Sequence, residues 1–559
     1  MRNHDETRRG GARGGMGALL LGLTALLAPL GAAAATGADT EPSTAAPCAD
    51  LLDLPDVTVL RAGDRTTDSG TAYCHARGLG PRAIAWHVAL PAAWNGRLVY
   101  LGDGGQDGDL DDAPFLIDAG YAFVNSNMGH DDGVEGQAFG LDDPDSEFDF
   151  AWRAQHHALT AAKRVVAAHY GRPQHHAYHF GCSTGGRQGL LAAQILPDDY
   201  DGIVAGAPGH LWYERMAHRV AVLQTLYRDR MAANLAYDTD GDGVPEDLGK
   251  VALLVGRVQN QCDAADGIRD GLVEPAFCDF EPRTALADLR CPDGTDGPAC
   301  FTPAQLDAVV QLYEGSRDSS GRIVYPGAPV GSETQWPAVF LPHAGNAQRP
   351  YALISATQVM GYRFYADDPG RMPPDLENVE RVLDRDSALP EWGWWTFDLD
   401  DLNDPDLQGP TYALMRGDDA DLAPFLKDRG GKLLMFHGWA DAVIPPGPTI
   451  DYFEAVTAET FGGDAGQAAE HMRLYGVPGM GHCRGGNGPQ PAYLTWLETL
   501  VAWVEDDRAP GTITAQTVKD GEVVNERPLC PFPARALYTG PAGTQDDPEH
   551  WRLENFECR

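Results

Sequence analysis

Positive charge is scarce in this chain. Across 559 residues, 42 Lys and Arg stand against 81 Asp and Glu, a formal net charge of −39. A surface of that sign repels nucleic acid and anionic lipid, so neither is expected as a partner. A membrane-length apolar run is missing from the N-terminus as well. Met16 to Leu30 makes a stretch of about 15 residues, short of the roughly 20 that a spanning helix needs. Arg2, Arg8, Arg9 and Arg13 precede it, and the small residues Ala32 to Ala35 follow. That order reads as an export signal, residues 1–35, cleaved after Ala35 rather than retained as an anchor. Arg8-Arg9 is followed by Gly-Gly, where twin-arginine export would place an apolar pair. Cleavage removes four Arg and two acidic residues and leaves a net charge of −41. The expected location is secreted or periplasmic, with no membrane association after cleavage. No internal repeat is present, which excludes a solenoid or a propeller.

Cysteine, by contrast, is present in an even number, ten. Disulfides persist in oxidising compartments, in agreement with export. Local spacing suggests Cys48–Cys74, Cys262–Cys278, Cys291–Cys300 and Cys530–Cys558, which leaves Cys182 with Cys483; spacing alone does not fix connectivity. The last pair has chemical meaning. Cys182 immediately precedes Ser183 in Gly181-Cys-Ser-Thr-Gly185, and Cys483 immediately follows His482. A bond between them would hold a serine and a histidine side by side. G-x-S-x-G is the turn that lifts a nucleophilic serine above an α/β-hydrolase sheet. His175 to Phe180 reads as the buried strand before it and Gly186 to Ile195 as the helix after it.

The rest of the chain supports a sheet of this kind. Residues 97–105 read as a buried strand entering a glycine loop, and 119–127 as a second strand. Residues 149–170 carry apolar side chains at helical spacing, and Gly202 to Pro208 reads as another buried strand. Strand and helix alternate, which predicts a mostly parallel sheet. The rhythm stops near 210 and resumes with a strand at Lys432–His437, a helix near 447–460 and a strand at Met472–Tyr475. The predicted architecture is an α/β-hydrolase core in two pieces, 36–210 and 431–559, flanking a large inserted lid domain over 211–430.

In such hydrolases the acid lies between serine and histidine in chain order, just after a strand. Asp441 meets both conditions, following the 432–437 strand. Its role would be to hold His482 in the correct tautomer while His482 takes the Ser183 proton. His437 is a rival histidine, but its place on the strand marks it as a packing residue. An oxyanion hole needs backbone N–H groups aimed at the developing charge. Thr184 should supply one and the glycine loop the other, with Gly105 ahead of Gly104.

These residues resemble the tannase / feruloyl esterase family, which also includes mono(2-hydroxyethyl) terephthalate hydrolases. The resemblance spans almost all of the mature chain. It rests on Gly-Cys-Ser-Thr-Gly-Gly-Arg-Gln (181–188), Asp201-Gly-Ile-Val-Ala-Gly-Ala-Pro208, Gly438-x-x-Asp441, Gly479-Met-Gly-His-Cys483 and Arg527-Pro-Leu-Cys-Pro531. The family's Cys-Ser…Asp…His-Cys arrangement falls on Cys182, Ser183, Asp441, His482 and Cys483. Asp103 and Gln106 depart from the family pattern beside the glycine loop. The resemblance implies an α/β-hydrolase core, a lid and ester hydrolysis through an acyl-serine.

It also implies a structural calcium ion in the lid. Asp263, Asp266 and Asp270, with the carbonyls of Ile268 and Leu272, resemble the family's ligand set, and three carboxylates within eight positions suit an oxygen-seeking cation. A second acidic loop, Asp238-Thr-Asp-Gly-Asp-Gly243, opens like an EF-hand but has Gly249 where the twelfth-position Glu belongs. The expected function is a secreted serine carboxylic-ester hydrolase acting on small aromatic esters of gallate, ferulate or terephthalate type. The competing readings are a serine peptidase on the same fold and a non-catalytic binding protein on a hydrolase scaffold.

Overall fold

A computed structural model describes residues 45–141, 143–365 and 393–559. Residues 1–35, expected from the sequence to be an export signal, lie outside the described residues. A nine-stranded sheet organises the chain. Its strands are β1 (Thr58–Thr66), β2 (Ala72–Leu79), β3 (Ala85–Pro91), β4 (Arg97–Leu101), β5 (Ala122–Ser126), β6 (His176–Cys182), β7 (Gly202–Gly206), β8 (Lys432–Gly438) and β9 (Met472–Val477). They lie in the order β1-β2-β3-β5-β4-β6-β7-β8-β9. From β5 to β9 every pairing is parallel, whereas β3 joins β5 antiparallel and continues into antiparallel β2 and β1. Strands covered on both faces read as unbroken apolar runs, and β7 and β8 are buried along nearly their whole length. β1 is exposed or half-buried throughout. It therefore carries no apolar alternation, and sequence pattern did not mark the β1–β3 flank.

Helices α1 (Ala154–Tyr170) and α2 (Thr184–Ile195) cover the sheet. The expected helix over 149–170 opens with a wide turn at Asp149–Arg153 before regular α1 begins. β6 runs through Cys182, two residues past its expected end, and α2 starts at Thr184 instead of Gly186. Strand passes into helix at the single residue Ser183, with φ 65° and ψ −121°. So sharp a turn brings backbones into contact. A Cβ on Gly185 would lie 2.7 Å from the Gly102 carbonyl carbon, and one on Gly186 would lie 2.2 Å from the Gly206 oxygen.

Among the described residues, 211–430 contributes no strand to this sheet. It is built of helices, including α3 (Trp212–Met231), Gly249–Cys262, Pro303–Glu314 and α4 (Tyr351–Val359), around its own apolar cluster with Trp212, Leu223, Trp336 and Trp394. α3 leaves the carboxyl end of β7 directly, so its first turns stand over the sheet edge where Ser183 lies. Five disulfides join Cys48 to Cys74, Cys182 to Cys483, Cys262 to Cys278, Cys291 to Cys300 and Cys530 to Cys558. No helix among the described residues is long and apolar enough to cross a membrane.

Candidate active site

Three segments far apart in sequence meet at the carboxyl ends of β6, β8 and β9. Ser183 follows β6, Asp441 follows β8, and His482 lies beyond β9. His482 Nε2 is 2.8 Å from Ser183 Oγ, and His482 Nδ1 is 2.7 Å from Asp441 Oδ2. Asp441 is fully buried. Its Oδ1 accepts backbone N–H bonds from Val443 at 2.8 Å and Ile444 at 2.9 Å. Burial by itself would raise this carboxyl; the His482 charge and hydrogen bonds from His437 and His482 outweigh it and hold Asp441 well below the usual carboxylate range. His437, buried on β8, bonds Thr449 Oγ1 and the Ile444 carbonyl and braces the turn that carries Asp441. The disulfide Cys182–Cys483, with Cα atoms 5.9 Å apart, ties the neighbours of Ser183 and His482 together. Such an arrangement can pass a proton from serine to imidazole and stabilise the resulting imidazolium.

The glycine loop is clasped against the elbow. Gly102 N donates to the Phe180 carbonyl at 2.9 Å and Gly185 N to that of Asp103 at 2.6 Å. The Thr184 hydroxyl donates to the Gly105 carbonyl. Gly105, at φ 62°, borders the same pocket as Ser183 and Thr184, whereas Gly104 is not among its lining residues. The pocket encloses ≈ 170 Å³ and is closed on the far side by Trp212, Arg215 and Met216 of α3 and by Tyr351, Ile354 and Gln358 of α4. Sequence reading did not identify these α3 and α4 residues. The place of Arg215, a few residues past the carboxyl end of a core strand, is the signal that could have found it. Arg215 is buried, stacks at 4.8 Å on Trp212, and makes no side-chain hydrogen bond or ion pair among the described residues. Burial first, then the Arg219 charge, lower its pKa to about 10, so it stays cationic at neutral pH.

The calcium candidates occupy one turn after the helix Gly249–Cys262. Asp263 Oδ1 accepts from Gly271 N at 2.9 Å, Asp266 Oδ1 from Ile268 N at 3.2 Å and Asp270 Oδ1 from Leu272 N at 3.1 Å. Asp266 and Asp270 turn their second oxygens to the buried guanidinium of Arg527. Arg527 alone does not balance the local charge. Glu274 is buried beside it with Oε2 unpartnered, and burial lifts Asp270 to about 6 and Glu274 to about 7. The surplus of buried carboxylate suits a divalent cation, which would share Asp266 and Asp270 with Arg527. Asp238, Asp240 and Asp242 also gather, on a surface turn where Gly241 N and Gly243 N donate to the Asp238 carboxylate and Val244 N to that of Asp242.

Asp103, buried, and Asp107, half-buried, form a second acidic pair beside Gly105. Burial and the neighbouring Asp107 push Asp103 far above the normal carboxylate range, and burial raises Asp107 to about 6. A carboxyl whose folded pKa is raised stabilises the protein below its unfolded pKa, and that contribution is lost as pH climbs through the folded value. Asp107→Asn should therefore gain in melting temperature relative to wild type between pH 5 and 7, a gap absent at pH 4. Thermal melts of both proteins across that range test it; a constant difference at all pH values would refute a raised Asp107 carboxyl as the cause.

Residues 71–550 match the family described as tannase and feruloyl esterase. A mono(2-hydroxyethyl) terephthalate hydrolase from Piscinibacter sakaiensis is 32% identical over 526 residues, spanning 86% of this chain and 82% of that relative. Feruloyl esterase B from Aspergillus niger is 28% identical over 487 residues, spanning 84% of this chain and 83% of its own. Among solved structures, feruloyl esterase B from Aspergillus oryzae aligns with a TM-score of 0.72 at 23% identity, covering 90% of this chain and 97% of that one. At that identity the likeness shows the fold alone, a large mixed sheet flanked by helices. With the family match running through both sheet segments and the helices between them, this chain belongs to the tannase and feruloyl esterase family, carboxylic ester hydrolases on an α/β-hydrolase fold.

Proposed function

We propose that this protein is an exported serine esterase that hydrolyses small aromatic esters, with Ser183 as nucleophile, His482 as general base and acid, and Asp441 as its orienting partner. The observation that carries the reading is the unbroken line Ser183 Oγ–His482–Asp441 at 2.8 and 2.7 Å. His482 Nε2 takes the Ser183 proton as Oγ attacks the ester carbonyl carbon. The backbone N–H groups of Thr184 and Gly105 receive the oxyanion. Collapse expels the alcohol, which leaves with the proton held on His482. Water then gives a proton to His482 and attacks the acyl-serine, releasing the carboxylic acid and restoring Ser183. Trp212, Met216, Tyr351 and Ile354 provide apolar walls for an aromatic ring. Among the described residues Arg215 is the one charged side chain lining this pocket and has no hydrogen-bond or ion-pair partner, which favours an ester bearing a free carboxylate, such as a terephthalate monoester, over neutral gallate or ferulate esters. Export is favoured by the residues 1–35 pattern and by the five disulfides.

A substrate panel tests this reading. Methyl gallate, methyl ferulate and a terephthalate monoester should be cleaved, and Ser183→Ala should abolish all three activities with the fold intact. Arg215→Leu should lower kcat/KM for the monoester by about 10-fold or more, the range of a charged hydrogen bond, and change methyl ferulate little. Peptide cleavage with every ester left untouched would replace the esterase reading with a peptidase.

The Cys182–Cys483 bond serves positioning in this scheme, because an error near 1 Å in the Ser183–His482 approach can cost about 100-fold in rate. Replacing both cysteines with alanine should reduce kcat far more than it alters the far-ultraviolet dichroism. Equal activity in the bridged and unbridged proteins would leave the bond a purely structural role.

Calcium is proposed as a structural ion held by Asp263, Asp266 and Asp270 with the carbonyls of Ile268 and Leu272. Bound there, it would neutralise buried carboxylate charge between the helices and Arg527, remote from the ester chemistry. A ligand that binds only the folded state raises its stability. Chelation should lower the melting temperature of wild type and leave Asp263→Ala unaffected. A melt insensitive to chelator, from protein shown by elemental analysis to lack calcium, would dispose of the ion.

A further inference from the structure

On the flank where β2 and β3 pair, two buried imidazoles converge with an exposed carboxylate. His75 Nε2 lies 3.0 Å from His87 Nδ1, and Asp112 Oδ1 lies 3.7 Å from the same His87 nitrogen. All three atoms fall within 4.8 Å of one another. The strand register places the histidines diagonally on one face, His75 opposite Ala89 and His87 opposite Arg77. This cluster lies outside the catalytic machinery and apart from the acidic calcium candidates.

We propose that His75, His87 and Asp112 bind a zinc-class divalent ion that pins the glycine loop to the antiparallel flank. Zinc takes imidazole nitrogen at about 2.0–2.1 Å and carboxylate oxygen at about 2.0–2.2 Å in a tetrahedron, so its ligand atoms sit roughly 3.4 Å apart. The observed separations of 3.0 and 3.7 Å bracket that edge. Two imidazoles with one carboxylate suit zinc rather than an oxygen-seeking ion. The second shell is in place: His87 Nε2 donates to the Asp111 carbonyl at 2.9 Å, which leaves Nδ1 with a free lone pair. In the metal-free protein His75 Nε2–H therefore donates to that lone pair. Metal binding requires His75 to carry its proton on Nδ1 instead, with no net proton released. The Asp112 side chain is 66% exposed, which gives the ion an entry path and room for a water as fourth ligand. Arg65 and Arg77 are the nearby cations, and they make the site weaker than a closed four-ligand structural zinc centre.

The consequence reaches the elbow. Asp111 N donates to Asn125 Oδ1 at 2.7 Å, Asn125 Nδ2 donates to Asp103, and the Asp103 carbonyl accepts from Gly185 N at 2.6 Å. A metal on Asp112 would thus fasten the outer end of the loop whose inner end carries Gly105.

Zinc chloride titrated calorimetrically into full-length protein, stripped with EDTA and then saturated with calcium, tests the site directly. One equivalent should bind. His87→Gln should abolish binding, and Asp112→Ala, a change at an exposed side chain, should weaken it at least 10-fold. Zinc should also slow amide exchange over residues 103–112 in wild type but not in Asp112→Ala. Absence of binding up to millimolar zinc, or binding in both variants equal to that of wild type, overturns the site. Unchanged exchange in the zinc-bound protein overturns the pinning.

Discussion

Ser183 holds a backbone conformation that side-chain-bearing residues avoid, and most of the surrounding structure serves to keep it there. Positive φ in a residue that bears a Cβ costs on the order of 1–3 kcal/mol and persists only where its surroundings enforce it. Here Ser183 N donates to the Gly206 carbonyl at 3.0 Å, while the Ser183 carbonyl accepts from Arg187 N at 3.0 Å and Gly209 N at 2.8 Å. β7 thus grips the elbow from one side, and the start of α2 grips it from the other. The glycines at 185 and 186 follow from this grip, because α2 can approach β7 and the loop after β4 only where no Cβ intervenes. The Cys182–Cys483 bond carries the same constraint across to the histidine.

Charge near the site runs against the charge of the whole molecule. A chain of net charge −39 places Arg187, Arg215, Arg219 and Arg363 in its interior around Trp212 and α4. Guanidinium groups tolerate such burial by lying on aromatic faces, and Arg363 stacks within 5.5 Å of Phe139, Phe150 and Trp212. Fields focus in clefts with low-dielectric walls, so a small cationic patch there is not cancelled by acidic residues on the distant surface. Of these buried arginines, Arg215 brings the positive charge to the pocket wall.

Ser183, Asp441 and His482 were legible in the sequence because each sits in a short motif at the end of a strand buried on both faces. Strands β4 to β9 were legible for the same reason, their apolar runs being continuous. The β1–β3 flank was not, because exposed edge strands carry little pattern. Element ends moved by a residue or two where the elbow, and not helix propensity, decides the boundary. The pocket lining was hidden for a different cause. Trp212 and Tyr351 are 139 positions apart, and nothing in either segment announces that their helices will pack around one cavity. Arg527 beside Asp266 and Asp270 is a contact of the same kind, set only by how the last strands close onto the inserted helices.

This division has a physical consequence for how such a protein can change. The chemistry depends on backbone: strand ends, a helix start and a loop held by N–H bonds, none of which tolerates displacement. The pocket wall depends on side chains of α3 and α4, whose apolar cluster reaches the sheet's own layers through residues such as Met128, Phe150, Leu191 and Ala442. Substitutions on the pocket side of α3 or α4 can alter charge and shape at the substrate while leaving the elbow's contacts untouched. The exception is Asp103 with Asp107, an acidic pair on the loop between the pocket and the elbow. A change at Asp103 alters a side chain that Asn125 and Gln188 also hold, on the loop that carries Gly105. Specificity can vary freely on the helices, and the glycine loop is where that freedom ends.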